Sequence, residues 1–405
     1  MPVGLSPPQV ILPVKGVRLA TLAAGIKNNQ QPDLVLLAFE PETRCAGVFT
    51  RNAFCAAPVI VAKNHLAQAE SRALLINSGN ANAGTGRAGL QNAQQCCALV
   101  AGALGCSEKQ VLPFSTGVIG EDLPMDKMVA AIGLLPGRLA ADGWLQAAGG
   151  IMTTDTVAKA CSRTLAIDGV EVTISGIAKG SGMIRPDMAT MLAFIATDAV
   201  VDRGWLQHCL ESAVDVSFNS ITVDGDTSTN DACILAATGA SGCRELDGSC
   251  AGSEAFQQAI NEVMVQLAQS IIRDGEGATK YVTVNVQSAA SLHEARQVAY
   301  TIAQSPLVKT ALFAGDPNWG RILAAVGRAG LDGLDLERVH IYLDDVCIVS
   351  KGGRDKDYEE AAGQRVMEQE EISIRVILGR GAEQATVWTT DLSYDYVKIN
   401  AEYRT

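Results

Sequence analysis

Residues 179–192 form the most informative stretch of the sequence and read KGSGMIRPDMATML. A glycine run carrying Lys179 leads into a turn set by Pro186, and Thr190 then opens an apolar strand. A threonine behind a small alanine is suited to attack the preceding carbonyl. Opening the Ala189–Thr190 bond would give Thr190 a free α-amine, with an ordinary pKa of about 7.7–8.0, as general base for its own hydroxyl. The alternative is a glycine-rich hairpin followed by an ordinary β-branched strand residue, and both interpretations stay open at this point.

Strands and helices alternate on both sides of this stretch. Upstream, Leu34–Phe39 and Arg72–Asn77 have the composition of short strands, and Asp168-Gly169 indicates a tight hairpin turn. Downstream, Ser253–Asp274 is the clearest helix, with its first residue as N-cap, because apolar residues recur every three or four positions. Val308–Phe313 has the composition of a strand. This interleaving predicts the α/β (α+β) fold class with layered sheets.

The composition indicates an acidic protein with enough apolar residues for a sizeable core. The 405 residues include 44 acidic and 32 basic side chains, which gives a net charge of −12, and 48% are hydrophobic. A surface this acidic repels phosphate backbones and anionic lipid heads. We therefore expect neither a nucleic-acid partner nor a membrane partner.

The cysteines and the N-terminal residues indicate a reducing compartment. None of the eleven cysteines forms a C-x-x-C pair and none of the four histidines lies at ligand spacing from another, so no metal site is predicted. Residues 1–14 lack the basic segment of a signal peptide, and no apolar run approaches the ~20 residues of a membrane helix. The expected location is the cytoplasm, with free and mostly buried thiols.

Two short motifs match nucleotide or metal patterns only in part. Gly84–Gly89 has the G-x-G-x-x-G spacing of dinucleotide sites, but the preceding strand ends near Asn77, too early for the tight turn that approaches a pyrophosphate. Asp224–Ser228 begins like a calcium loop, yet Thr229 and Leu235 replace the required glycine and acid. A dinucleotide-dependent oxidoreductase stays an alternative for the first motif, and the calcium site is rejected.

Read with the rest of the chain, the Ala189–Thr190 stretch resembles the ornithine acetyltransferase family (the ArgJ family, the glutamate N-acetyltransferases of arginine biosynthesis). That family cleaves itself within an Ala-Thr-Met-Leu sequence, as found at residues 189–192. Further blocks resemble family signatures in the family order, so the resemblance spans essentially the whole chain. These blocks are Asn77–Ala83, Ser115–Gly120, Met152–Thr156, Asp224–Asn230, Gly315–Arg321 and the C-terminal residues Asn400 and Thr405.

The resemblance assigns roles to individual residues. Thr190 matches the nucleophile that cleaves the chain after Ala189 and then carries the acetyl group, while Thr116 and Gly117 match the pair that stabilises the oxyanion. Lys179 carries a positive charge that can pair with a substrate carboxylate. Glu276 carries a negative charge that can pair with the side-chain ammonium of ornithine. The substrate-binding residues carried over are Thr153, Lys179, Thr190, Glu276, Asn400 and Thr405. Without the resemblance these charged and terminal residues would be read as exposed surface.

The resemblance also implies an activity. The expected enzyme is a glutamate N-acetyltransferase that moves acetyl from N2-acetyl-L-ornithine to L-glutamate by a ping-pong mechanism. It needs no metal or cofactor, and acetyl-CoA serves as a second acetyl donor if the enzyme is also an amino-acid N-acetyltransferase. The alternatives are a monofunctional ornithine acetyltransferase, a self-cleaved threonine aminopeptidase or amidase, and an uncleaved binding protein.

The architecture that the resemblance implies is the DmpA/ArgJ-like layered αββα sandwich, which shares its catalytic principle with the N-terminal-nucleophile hydrolases. A smaller C-terminal lobe is expected from about residue 285. Cleavage would give an α chain of residues 1–189 and a β chain of residues 190–405. Two α and two β chains are expected to assemble.

Overall fold

The computed structural model describes residues 2–27, 30–185 and 191–402. The chain divides into two compact units, which are treated separately. The large unit comprises Pro7–Asn219 and Asp226–Ile271. The small unit comprises Met1–Ser6, Ser220–Gly225 and Ile272–Thr405. The predicted division into residues 1–189 and 190–405 concerns cleavage, and it stays a prediction.

The large unit contains two sheets and their covering helices. Its strands are β1 (Val17–Leu22), β2 (Leu34–Phe39), β3 (Arg44–Phe49), β4 (Ala73–Asn80), β5 (Val111–Val118), β6 (Lys159–Ile167), β7 (Val170–Lys179), β8 (Leu192–Thr197) and β9 (Ala232–Ala237). Its helices are α1 (Ala57–Leu66), α2 (Gly86–Leu104), α3 (Met125–Ile132), α4 (Trp144–Gly150), α5 (Arg203–Val216) and α6 (Ala251–Arg273), the last two residues of α6 being counted with the small unit. The sheet orders are β1-β2-β4-β5 and β3-β9-β8-β7-β6.

These two sheets pack face to face. Phe114 on β5 meets Phe194 on β8 edge to face, with ring centroids 5.0 Å apart. Leu37 on β2 and Ile234 on β9 belong to the same buried cluster. Alternate residues of these strands therefore fill one shared core, which places the ends of β5, β7 and β8 on rigid elements.

Helices cover the outer faces. Cys97 and Val100 of α2 and Ile132 of α3 pack on the side of β2 and β4 that faces away from the other sheet. On the second sheet, a Cβ at Gly176 of β7 would lie 3.1 Å from a side-chain carbon of Leu267 on α6, so this helix packs directly on the strand. The large unit is thus an αββα arrangement, and the α/β prediction is confirmed.

The small unit is built on one six-stranded sheet. Its elements are β10 (Tyr281–Ala289), α7 (Leu292–Ala303), α8 (Pro306–Ala314), α9 (Trp319–Gly327), β11 (His340–Leu343), β12 (Val346–Ser350), β13 (Gly353–Arg354), α10 (Glu360–Met367), β14 (Glu371–Ile377), β15 (Glu383–Thr390) and α11 (Tyr394–Glu402). The strand order is β13-β12-β11-β14-β10-β15. One apolar cluster joins this sheet to its helices, for example Val284 on β10, Val298 on α7 and Ile322 on α9. Across the described residues, no helix has the length and apolarity needed to cross a membrane.

Two local predictions are wrong. Val308–Phe313 lies in helix α8, because the Ser305 hydroxyl accepts the Val308 N–H and Pro306 occupies the first turn, which together start a helix. Ser253 lies inside α6, which begins at Ala251, and its hydroxyl instead accepts the N–H of Gly248 at 3.1 Å. The Asp168-Gly169 turn is confirmed, since both residues have positive φ and Ile167 pairs with Val170.

Candidate active site

A close approach of two strand ends fixes Thr116 and Gly117 near the end of β5. β4 and β5 run parallel, with Ser78 opposite Thr116 and Gly79 opposite Gly117. Gly117 has φ +135°, and a Cβ there would lie 2.3 Å from the Gly79 carbonyl carbon and 2.5 Å from the Asn80 nitrogen. Only glycine fits this position. The close approach therefore fixes Gly117 and the neighbouring Thr116 at the end of β5, which is an edge strand of its sheet.

Buried polar side chains hold this end of β5 in place. The Ser115 hydroxyl donates to Asn77 Oδ1 at 2.5 Å, and Asn77 Nδ2 donates to the Asn80 carbonyl at 2.8 Å. Asn230 Nδ2 donates to the carbonyls of Ala81 and Ser115 at 2.6 and 2.9 Å. Three of the sequence blocks quoted above therefore meet here, and the positioning roles of Asn77 and Asn230 were not predicted. The only signal for them was their place inside those blocks.

Lys179, at the end of β7, reaches the Thr116 hydroxyl. Its side chain is 9% exposed, and Nζ donates to Thr116 Oγ1 across 3.3 Å. An ammonium group can only donate, so Thr116 Oγ1 accepts this bond and its own hydroxyl proton is left for another acceptor. The arrangement places a positive charge beside the Thr116 hydroxyl, and a charged group next to a hydrogen-bond donor suits a developing oxyanion.

A buried carboxylate organises the neighbouring backbone. Asp155 accepts hydrogen bonds from the Thr153 N–H at 3.0 Å, the Gly180 N–H at 2.8 Å and Lys159 Nζ at 2.6 Å. Burial raises the pKa of Asp155, but the charges of Lys159 and Lys179 and the Gly180 N–H outweigh burial and lower the pKa below its ordinary value. This stabilisation is present above the pKa of an unfolded aspartate and is lost as the pH falls through the folded pKa. Asp155 thus places Thr153 beside the strand end that carries Lys179.

We expect Lys159→Met to be strongly destabilising. Both side chains of the Lys159–Asp155 pair are fully buried, and removing one partner leaves a buried charge without compensation, which costs about 3–5 kcal/mol. The matched control is Arg203→Met, which breaks an exposed pair with Glu70 and is expected to cost less than about 1 kcal/mol. Urea denaturation of both variants measures the difference. Equal midpoints for the two variants would contradict the structural role of Asp155.

Two further predicted residues meet in the small unit. Glu276 is 8% exposed, and its Oε2 accepts from Asn400 Nδ2 at 2.8 Å. Gly277 has φ +66°, and a Cβ there would lie 2.4 Å from the Tyr396 nitrogen, so the glycine lets α11 approach this turn. The Ser393 hydroxyl adds a bond to the Gly277 carbonyl at 2.6 Å. The C-terminal helix is therefore hydrogen-bonded to the carboxylate of Glu276, which the resemblance assigns to substrate binding.

The remaining predicted site residues cannot be placed. Ala189, Thr190 and Thr405 lie outside the described residues. Of the predicted residues that are described, Thr116, Gly117, Thr153 and Lys179 fall in the large unit, and the Glu276–Asn400 pair falls in the small unit. Within the described ranges, no group of three or more histidine, cysteine or acidic side chains is arranged to hold a metal ion.

Comparison with known proteins gives consistent matches along the chain. The model of the ArgJ family matches residues 18–405. The arginine biosynthesis bifunctional protein ArgJ of Methylococcus capsulatus is 57% identical over 395 residues, 98% of this chain and 97% of that protein. The protein of the same name from Pseudomonas fluorescens is 53% identical over an alignment of 408 positions, which covers 100% of this chain and 100% of that protein.

A solved structure agrees with this match. The crystal structure of the arginine biosynthesis bifunctional protein argJ from Bacillus halodurans has a TM-score of 0.50 and 38% identity, covering 52% of this chain and 99% of that chain.

Proposed function

Because the chain belongs to the ArgJ family, we propose that it transfers the acetyl group of N2-acetyl-L-ornithine to L-glutamate in arginine biosynthesis, through an acetyl ester on Thr190. The observation that carries the proposal is the fixed position of Thr116 and Gly117 at the end of β5, with Lys179 Nζ 3.3 Å from the Thr116 hydroxyl oxygen. Both relatives compared above are named bifunctional, which supports a second use of the site, the acetylation of glutamate by acetyl-CoA.

The first half-reaction forms the acetyl ester. The Thr190 α-amine takes the hydroxyl proton, and Oγ attacks the acetyl carbonyl of N-acetylornithine. The Thr116 hydroxyl and the Gly117 N–H donate to the tetrahedral oxyanion. The C–N bond then breaks, the proton passes from the Thr190 amine to the ornithine nitrogen, and ornithine leaves.

The second half-reaction returns the enzyme to its starting state. The α-amine of glutamate attacks the acetyl ester, the same donors hold the second oxyanion, and the Thr190 oxygen regains a proton as N-acetylglutamate leaves. Lys179 is the group that can bind the α-carboxylate common to both substrates. Nucleophile, base and oxyanion donors are all amino-acid groups, so the proposed reaction requires neither a metal nor a cofactor.

The decisive assay supplies N-acetylornithine with and without glutamate. Ornithine and N-acetylglutamate are expected in equal amounts only when glutamate is present. Without glutamate, the proposed mechanism releases at most one equivalent of ornithine per Thr190, as the acetyl ester forms. Continued release of ornithine beyond that equivalent would indicate transfer to water and would favour the aminopeptidase or amidase alternative. Replacing N-acetylornithine by acetyl-CoA separates a bifunctional from a monofunctional enzyme.

We expect Glu276→Gln to raise the KM for N-acetylornithine about tenfold and to leave kcat little changed. The carboxylate is proposed to bind the side-chain ammonium of ornithine, and a charge-assisted hydrogen bond is worth about 1.5–3 kcal/mol. Asn400 already donates to Oε2, so the amide can keep that contact only by turning its oxygen toward Asn400. Steady-state kinetics beside the exposed control Glu383→Gln measure the effect. An unchanged KM would remove Glu276 from the substrate site.

For assembly and location, we propose two copies each of residues 1–189 and 190–405 in the cytoplasm. The cysteines among the described residues are free, and burial raises the pKa of the Cys45 thiol to about 12, which supports a protein kept in a reducing compartment. Light scattering on the purified enzyme, combined with denaturing mass spectrometry, tests the stoichiometry. A mass equal to one pair of fragments would contradict it.

A further inference from the structure

A buried carboxylate fixes the backbone at Lys27, in the segment between β1 and β2. Asp33 is buried, and its carboxylate accepts the backbone N–H groups of Ala24, Ile26 and Lys27 at 2.6, 2.6 and 3.0 Å. Hydrogen bonds to a charged acceptor are among the strong ones. The position from which the Lys27 side chain starts is therefore well defined.

The side chain of Lys27 lies against the strand ends that carry Thr116 and Gly117. A Cβ at Gly79 would lie 3.1 Å from Lys27 Cγ and 3.3 Å from Lys27 N. In the register of β4 and β5, the same Gly79 stands opposite Gly117. Gly79 therefore lies between the stem of Lys27 and one of the proposed oxyanion donors.

The Lys27 ammonium is open to a ligand. Nζ donates to the Pro32 carbonyl at 2.9 Å, and this bond uses one of the three N–H groups of an ammonium. The residue is only partly buried. Lys159, by contrast, is fully buried in its pair with Asp155. Of these two lysines, Lys27 is the one that a molecule arriving from the solvent can reach.

The charge of Lys27 adds to that of Lys179. Burial lowers the pKa of Lys27, the charges of Asp33 and Asp155 raise it, and the positive charge of Lys179 lowers it further. The two ammonium groups therefore lie within electrostatic range of each other. Two neighbouring positive charges attract a ligand with two carboxylates more strongly than a ligand with one.

We propose that Lys27 is a specificity-determining residue for the acetyl acceptor, and that it binds the side-chain carboxylate of glutamate. This inference rests on the proposed function, since glutamate is the acceptor only in that reaction. Both substrates carry an α-carboxylate, for which Lys179 is the proposed partner. Glutamate has a second carboxylate and N-acetylornithine has none, so a second lysine beside the first distinguishes the acceptor from the donor.

The test compares the two half-reactions in Lys27→Gln, which removes the charge and keeps an N–H for the Pro32 carbonyl. In a ping-pong reaction, kcat/KM for each substrate depends only on the half-reaction in which that substrate takes part. We expect kcat/KM for glutamate to fall about tenfold or more, because a charge-assisted hydrogen bond is lost, and kcat/KM for N-acetylornithine to stay within about twofold. Glutamine, the uncharged analogue of glutamate, should be acetylated equally well by both proteins.

Two further variants separate the charge from the structure of the segment. The exposed Lys127 donates to the Gly25 carbonyl of the same segment, so Lys127→Gln loosens the segment without changing the charge beside Gly79. We expect it to keep the preference for glutamate over glutamine. Lys27→Arg keeps the positive charge and should also keep that preference, although its different shape changes kcat/KM for glutamate.

Each outcome decides the inference. An unchanged kcat/KM for glutamate in Lys27→Gln would overturn it, and so would equal losses with glutamate and glutamine. A loss seen only with acetyl-CoA would assign Lys27 to the phosphates of that donor and would also overturn it. Thermal unfolding checks that Lys27→Gln is folded. If it is not, Lys27→Arg decides, because equal changes with glutamate and glutamine in that variant would contradict a contact with the carboxylate.

Failure of the proposed function is recognised separately. The unmodified protein would then transfer no acetyl group from N-acetylornithine to glutamate. An active unmodified enzyme whose preference for glutamate survives in Lys27→Gln would leave the proposed function intact and remove only the role of Lys27.

Discussion

Replacing Thr190 by alanine is expected to leave the protein as one 405-residue chain and to lower acetyl transfer by on the order of 10⁴-fold or more. The unmodified protein should give two masses, those of residues 1–189 and 190–405. The physical reason is that one hydroxyl is proposed to perform both tasks, the attack on the Ala189 carbonyl and the attack on the acetyl carbonyl. Intact-mass spectrometry under denaturing conditions, followed by the glutamate-dependent assay, measures both effects.

Thr190→Ser is the matched variant for this experiment. It keeps a hydroxyl at the same position, so cleavage and part of the activity should persist. Two fragments from Thr190→Ala, or a single uncleaved mass from the unmodified protein, would each contradict the self-activating mechanism at its first step.

The sequence predicted the local elements well where one short-range signal decides them. The Asp168-Gly169 turn allows the positive φ values that its hairpin needs, and the continuous apolar run Leu34–Phe39 forms strand β2 as predicted. The prediction for Val308–Phe313 was wrong because a short apolar run does not distinguish a strand from a buried helix. Its composition gave less information than the residues before it, Ser305 and Pro306.

The candidate site could be predicted only through the family resemblance. Asn230 bonds to the Ser115 carbonyl across more than one hundred residues, and the Lys179–Thr116 contact also joins distant segments. No spacing rule encodes such pairs, because the sheet register brings them together.

Gly117→Ala is expected to remove most activity and to destabilise the large unit. The new Cβ would meet backbone atoms of Gly79 and Asn80 at 2.3–2.6 Å. Backbone atoms cannot move away by rotation about a bond, as the end of a side chain can, so β4 and β5 must separate. We expect this separation to lower the free energy of unfolding by about 3 kcal/mol or more. The same movement would shift the Gly117 N–H, which we propose as an oxyanion donor, and losing one such donor lowers kcat about 10²–10³-fold. Thermal unfolding and kcat/KM measured on the same preparation give both effects.

The control variant Gly120→Ala separates the effect of the steric clash from the effect of a positive φ. Gly120 lies in the same segment with φ +84°, but a Cβ there meets no atom within 4 Å. This control therefore carries the cost of an unfavourable backbone conformation without a clash, and its kcat/KM should stay within about threefold of the unmodified enzyme. If Gly117→Ala kept as much activity as Gly120→Ala, the Gly117 N–H would not be an oxyanion donor. The contact between β4 and β5 would then serve only to hold the two strands together.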